Sequence, residues 1–112
     1  PPAQLSAPLE WPQVRILPDR IVGVVEEIDS FGNLITNIRA EALAGRPTDL
    51  RAVVVCGIYE TYGIYSAYAQ QPEDSLVALI SSSGRLELAL VGSNAARRLG
   101  ITVGTPVTVA WV

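Results

Sequence analysis

Glu27-Ile28-Asp29-Ser30-Phe31-Gly32-Asn33-Leu34-Ile35-Thr36-Asn37-Ile38 joins two apolar runs through a polar bend. Apolar alternation enters it from Val22 and leaves it at Ile38. Between the runs stand Asp, Ser, Gly and Asn, which make turns by distinct mechanisms: side-chain acceptors for nearby amides, and tolerance of positive φ. The local reading is two short strands and a tight connection. Phe31 does not fit a bland turn, because it is the sole Phe of the chain and sits where exposure is the default. A ring flanked by a carboxylate and a carboxamide is a platform for a flat ligand.

Working outward, residues 21–28 read as the incoming strand, with mixed registers around Gly23 that indicate burial on both faces or a bulge. Residues 34–38 are the return strand, and 39–43 offer one helical turn stopped by Gly45. Val53-Val54-Val55-Cys56 marks a buried β-branched strand within 50–58. Tyr59, Tyr62, Tyr65 and Tyr68 recur at a spacing of three, but the intervening glycines and β-branched residues favour two short strands bent near Tyr62-Gly63. Residues 76–80 and 85–91 form the clearest hairpin, around Ser81-Ser82-Ser83-Gly84. In its second strand Leu86, Leu88 and Leu90 face one way, and Arg85, Glu87 and Ala89 face the other, polar way. Ser93 or Asn94 caps a short helix that carries Arg97 and Arg98 in its last turn and ends at Gly100. A final strand covers 107–112. These signals define a mainly β domain: a small antiparallel β-barrel or sandwich of about seven short strands with one short helix.

Length and composition set bounds. The 112 residues fit one domain, and 49% hydrophobic content allows a real core. Charged residues make up 17%, which points to surface buried against a partner or simply to a Val- and Ala-rich domain. The net charge is −3 and no basic cluster exists beyond Arg97-Arg98, so nucleic acid is not an expected partner. The single Cys56 reads as a reduced core residue. With no His and one Cys, neither a zinc site nor the commonest general base is available. No apolar run approaches the ~20 residues of a membrane span, and no signal peptide is visible, so a cytoplasmic protein is expected. Residues 1–20 hold five of the eight prolines and read as an extended arm or interdomain linker, with Trp11 as its anchor or simply as part of a flexible tail. Because the chain starts at Pro, processing or excision from a longer protein is expected.

Chemically, the Asn33 carboxamide offers a donor and an acceptor that match an adenine edge, and Phe31 can stack on a base. The Asp29 carboxylate can hold an ammonium or a ribose hydroxyl. The same three residues also make an ordinary Asx-turn. Ser82 and Ser83 can present hydroxyls to a carboxylate, or merely form a polar turn. Tyr68 offers a second ring wall, or a core ring. Glu87 lies on the polar strand face, and Ala95 with Asn94 sits at a helix start whose amides can meet a ligand. No nucleophile–base pair is present, so any catalytic groups must come from elsewhere.

Three ordered motifs resemble one family. Residues 28–38 resemble a signature of the S-adenosyl-L-methionine (SAM) hydroxide adenosyltransferases, the adenosine-forming SAM hydrolases related to fluorinase and chlorinase. Ser82-Ser83-Gly84-Arg85-Leu86-Glu87-Leu88-Ala89-Leu90 with Asn94-Ala95-Ala96 is similar to a second signature, and Gly63-Ile64-Tyr65-Ser66-Ala67-Tyr68-Ala69 to a third. The resemblance spans residues 21–112 and corresponds to the family's C-terminal domain. It implies SAM as substrate with no separate cofactor, and water-activating residues on an N-terminal domain. It also implies a homotrimer whose sites lie between the N-terminal domain of one subunit and the C-terminal domain of its neighbour. It assigns Asn33 to adenine, Asp29 to the methionine amino group, and Ser82 and Ser83 to the methionine carboxylate. Phe31 and Tyr68 would wall the base, while Glu87, Leu90 and Ala95 would line the nucleoside. Ser83 stands where fluorinase has Arg, which favours the hydrolase branch. The 90–93 stretch lacks the fluorinase's nucleoside-binding Arg. On this reading the chain alone is inactive. The rival readings are a stand-alone β-barrel binding or assembly module, and part of a SAM-dependent halogenase.

Overall fold

Alternating apolar residues on successive strands wrap a single interior. The computed structural model describes residues 13–66 and 71–112. Among them run β1 (Arg15–Ile16), β2 (Arg20–Ile28), β3 (Leu34–Arg39), β4 (Ala52–Cys56), β5 (Tyr59–Tyr62), β6 (Ile64–Tyr65), β7 (Leu76–Ile80), β8 (Arg85–Leu90) and β9 (Pro106–Trp111). Two short helices, α1 (Ala40–Leu43) and α2 (Ala95–Leu99), interrupt them. The strand order is β5-β4-β9-β2-β3-β8-β7-β6, with β1 paired to β2. Only the β6–β7 pairing is parallel among the described strands.

The two ends of this sheet are consecutive in sequence. β5 passes into β6 through Gly63, whose φ of 87° suits a residue without a Cβ. The Thr61 hydroxyl donates to the Leu76 carbonyl at 2.6 Å and ties this corner to β7. The result is a nearly closed barrel. Ile21, Val25, Leu34, Ile38, Leu86, Leu88 and Val109 are fully buried inside it. Each such side chain contributes about 1.5–3 kcal/mol of transfer free energy. Cys56 is buried there too, as a free thiol, and burial pushes its pKa up to about 11. Among the described residues no helix is long and apolar enough to cross a membrane.

The mainly β, barrel-like architecture matches the sequence reading, with two refinements. There are nine described strands and two short helices. Residues 15–16, expected within the arm, pair with β2 through Arg15↔Val22 and Ile16↔Ile21. The Leu17 N–H donates to the Arg20 carbonyl, which closes the turn around Pro18. Residues 1–12, with Trp11, lie outside the described residues, as does Tyr68.

β3 is the irregular strand. Its register slips against β2 between Val25 and Glu27, and against β8 between Ile35 and Arg39. Gly23 leaves room for this: a Cβ there would meet Asn37 Oδ1 and the Ile38 side chain. Asn37 Oδ1 accepts the Val24 N–H at 2.9 Å. The fully buried Thr36 hydroxyl donates to the Leu86 carbonyl at 2.7 Å and accepts the Ile38 N–H at 3.1 Å. A side chain thus substitutes for a missing rung of the ladder. Thr36→Val keeps the shape and removes both bonds, leaving two buried backbone groups unpaired. We expect a loss of at least about 2 kcal/mol in urea unfolding. A loss under about 0.5 kcal/mol would show that the ladder closes without the hydroxyl.

Candidate functional site

The bend between β2 and β3 is held by its own aspartate. Asp29 Oδ1 accepts the Phe31 and Asn33 N–H groups, each at 2.9 Å. Asp29 Oδ2 accepts from Asn33 Nδ2 at 3.1 Å. The Gly32 N–H donates to the Asp29 carbonyl, and the Asp29 N–H to the Asn33 carbonyl. Asn33 is 9% exposed, whereas Phe31 stands out at 76%.

This bend docks on the start of α2. The Ala96 N–H donates to the Gly32 carbonyl at 3.0 Å. Asn94 caps the helix by accepting the Arg97 N–H at 2.8 Å, and Gly100 ends it in the left-handed region, as the sequence indicates. Two amides at the helix start are therefore already used within the protein, and Ala95 is fully buried beneath the bend. Gly32 has φ 87°, and a Cβ there would lie 2.1 Å from the Asn94 side chain. Phe31, Asn33, Leu90, Gly92, Ser93 and Asn94 line an open cleft of about 370 Å³. That volume falls within the roughly 300–1,000 Å³ typical of small-molecule sites. Gly92 was not singled out from sequence, and Ser93 read there only as a candidate helix cap.

The second polar group lies farther along the same outer surface. Leu34 pairs with Leu88 and Ile35 with Glu87, so Leu34 and Leu88 point inward while Ile35 and Glu87 point outward. Asn33, two residues before Ile35, shares that outer face. The ladder spacing puts Asn33 and Glu87 roughly 7–8 Å apart as diagonal neighbours. Glu87 is not on a solvated face as its alternation suggested: it is 8% exposed. The reason is its central position. β3 and β7 flank it, placing the buried Ile35 and Leu79 on either side. The outer face of β7–β8 also carries a small apolar cluster of Val77, Leu79 and Ala89, against which Tyr65 and Val91 pack.

The 81–84 turn supplies hydroxyls to this carboxylate. Ser81 Oγ donates to Glu87 Oε2. Ser83 Oγ lies 2.7 Å from Ser81 Oγ and 3.4 Å from Glu87 Oε2. Ser82 is exposed at the tip. Ser81 is the member of the serine triplet that sequence reasoning missed, because three consecutive serines carry no signal of which faces inward. Just beyond, Arg85 bridges Glu26 at 2.8 Å and Glu27 at 3.2 Å, fastening the turn to β2.

The structure thus gathers Asp29, Phe31, Asn33, Leu90 and Ala95 at one pole, and Ser83, Glu87 and the previously unremarked Ser81 at the other. Asn33 and Glu87, diagonal neighbours across the β3–β8 ladder, mark the near edges of the two poles. A larger hollow of about 700 Å³, bordered by Val14, Ile16, Val24, Glu26 and Arg39 among others, contains none of these groups.

Fold and site together define a small β-barrel with an elongated two-pole surface on its outer wall. Residues 23–108 match the family described as the SAM hydroxide adenosyltransferase C-terminal domain, and the chain belongs to that family. Among solved structures it is similar to an uncharacterized conserved protein from Thermotoga maritima, with 23% identity and a TM-score of 0.75 over 90% of this chain. It is also similar to a conserved hypothetical protein from Thermus thermophilus, with 30% identity and a TM-score of 0.63 over 79% of this chain. The chain spans 40% of the first protein's length and 34% of the second's. The first likeness speaks to fold alone. No curated protein matches the chain.

Gly32→Ala tests how the bend is built. Positive φ and the Asn94 contact together should cost about 1–3 kcal/mol. A lowered melting temperature is expected; an unchanged one would show that the bend is not seated on α2.

Proposed function

We propose that the outer wall between the two poles is half of a SAM site in an enzyme that hydrolyses SAM to adenosine and L-methionine. The observation that carries this reading is that Asn33 and Glu87 share one face, with a cleft at the first and a buried carboxylate at the second. SAM is elongated, with a nucleoside at one end and a zwitterionic amino acid at the other. Phe31 stacks on the adenine and Asn33 meets its edge. Leu90 lines the nucleoside cleft, above Ala95. Tyr68, on the family resemblance, forms the second wall. At the other pole Glu87 takes the methionine ammonium, and the exposed Ser82 with Ser83 meets its carboxylate. This departs from the resemblance, which gave the ammonium to Asp29 and Glu87 to the nucleoside. The Asp29 oxygens already serve the bend's own donors, and Asp29 stands at the nucleoside pole.

The reaction needs little from this half beyond orientation. A water oxygen forms a bond to C5′ as the C5′–sulfonium bond breaks; the electron pair leaves with methionine's sulfur, and the water's proton goes to solvent or a base. Holding both ends of the substrate sets the in-line angle, an effect worth several kcal/mol. The family's water-activating residues belong to an N-terminal domain, and its covering of the exposed Phe31 would complete the pocket. A homotrimer acting in the cytoplasm, with each site shared between neighbours, fits the same reading.

Two outcomes check it. Residues 1–112 alone should release no adenosine from SAM by chromatographic assay; release would overturn the half-site. In the protein carrying both halves, Glu87→Gln should weaken SAM binding about 10- to 100-fold, as expected for a lost charge-assisted hydrogen bond, and leave adenosine affinity unchanged. Equal losses for SAM and adenosine, measured by calorimetry, would place Glu87 at the nucleoside instead.

A further inference from the structure

The N-terminal arm and the larger hollow meet at Gln13. β1 lies along β2 in the register Arg15↔Val22 and Ile16↔Ile21, which brings Gln13 beside Val24. From Val25 onward the same edge of β2 belongs to β3, through Val25↔Thr36. A chain running back from Gln13 towards residue 1 therefore cannot stay on that edge, and is turned out over the hollow of about 700 Å³. Gln13 and Val14 form one rim of it, and Ile16, Val24 and Ala42 give it further apolar lining. Ile16 stands 59% exposed at its margin. The residues that precede Gln13 carry the pattern such a surface requires. Leu5, Ala7, Leu9 and Trp11 are apolar and alternate with Ser6, Pro8 and Glu10. In an extended segment alternate side chains share a face, so the four apolar groups line up together. The amides of the other parity point to one side, and two of them, at Pro8 and Pro12, carry no hydrogen. That combination suits an outermost segment with one apolar face and one side on which no further strand pairs.

We propose that the hollow is the docking site of the chain's own residues 5–11, laid in it as an extended strap with Leu9 and Trp11 seated on Val14, Ile16, Val24 and Ala42. Residues 9–12, extended, reach roughly 13 Å from the rim, so Leu9 and Trp11 are the pair placed to fill it. Glu10 falls on the opposite face with Ser6 and Pro8, clear of the acidic Glu26 and Glu41 that border the hollow. The tether favours this occupant over a separate molecule. Twelve residues precede Gln13, they begin at the rim, and a segment joined so closely is present at an effective concentration in the millimolar range. The strap gives the approach to the barrel one fixed direction, and it does so whatever the two-pole surface binds.

Tryptophan emission reads the seating directly, because Trp11 and Trp111 are the two Trp residues of the chain. In residues 1–112 carrying Trp111→Phe, Trp11 should emit at short wavelength and be shielded from iodide. Adding Ile16→Asp, a change at an exposed position, should shift that emission to the red and open the indole to iodide, with the melting transition retained. A solvated Trp11 in the parent, or a shielded one that Ile16→Asp does not move, overturns the proposal. Shielding lost on dilution would place the segment in the hollow of a second copy and overturns it too. So does a Trp11 that is solvated in residues 1–112 and shielded only in the protein carrying both halves, which would give the hollow to the other half. Trp111 Nε1 donates to the Pro47 carbonyl, so Trp111→Phe gives up a bond. Should that variant fail to fold, Leu9→Ser with Trp11→Ser in the otherwise unchanged chain keeps the test. A melting temperature lower by at least about 4 °C is expected, and a smaller fall or none overturns the strap.

Discussion

Leu34 lies opposite Leu88, and Ile35 opposite Glu87; this register governs everything the barrel shows to the outside. A slip of one residue would turn Leu88 outward and Glu87 into the core, where an unpaired carboxylate costs several kcal/mol. The register is secured from both sides. Inward, leucines from both strands fill the interior. Outward, the Glu87 carboxylate finds the Ser81 and Ser83 hydroxyls on the next turn. Where the ladder breaks, Thr36 restores the missing bonds. Stability and the candidate site therefore depend on the same few pairings.

The site is also stiffened from outside the ladder. At the bend, the β2–β3 connection meets two elements remote from it in sequence, the end of β8 and the start of α2. Gly32 is where they touch, with its carbonyl on the Ala96 N–H and its missing Cβ filled by Asn94. A cleft assembled this way has walls that do not move independently. Preorganisation of this kind lowers the ordering cost of holding a small ligand.

Much of this was legible in the residues. The hairpin around 81–84, the β5–β6 corner at Gly63, the one-turn α1 and the Asn94-to-Gly100 helix all follow from local turn and cap chemistry, which acts within a few residues. What escaped depended on neighbours remote in sequence. Alternation showed which way Glu87 points but not that β3 and β7 cover it. β1 has two residues and adjoins Pro18, so only its pairing with β2 reveals it. The parallel partnership of β6 with β7 has no local signature at all. Asp29 suited both a ligand and its own turn, and the geometry shows three donors from that turn on its oxygens. Ser81 was indistinguishable from its two neighbours until the fold set their directions.

The corner at Gly63 has a mechanical side. β5 and β6 occupy opposite margins of one sheet, yet a single residue separates them in the chain. The wall is thus hooped by covalent bonds where most barrels rely on a zipper of amides. Its girth cannot widen there without unbending one glycine. A ligand pressing on the far wall would push against a circumference that is already set.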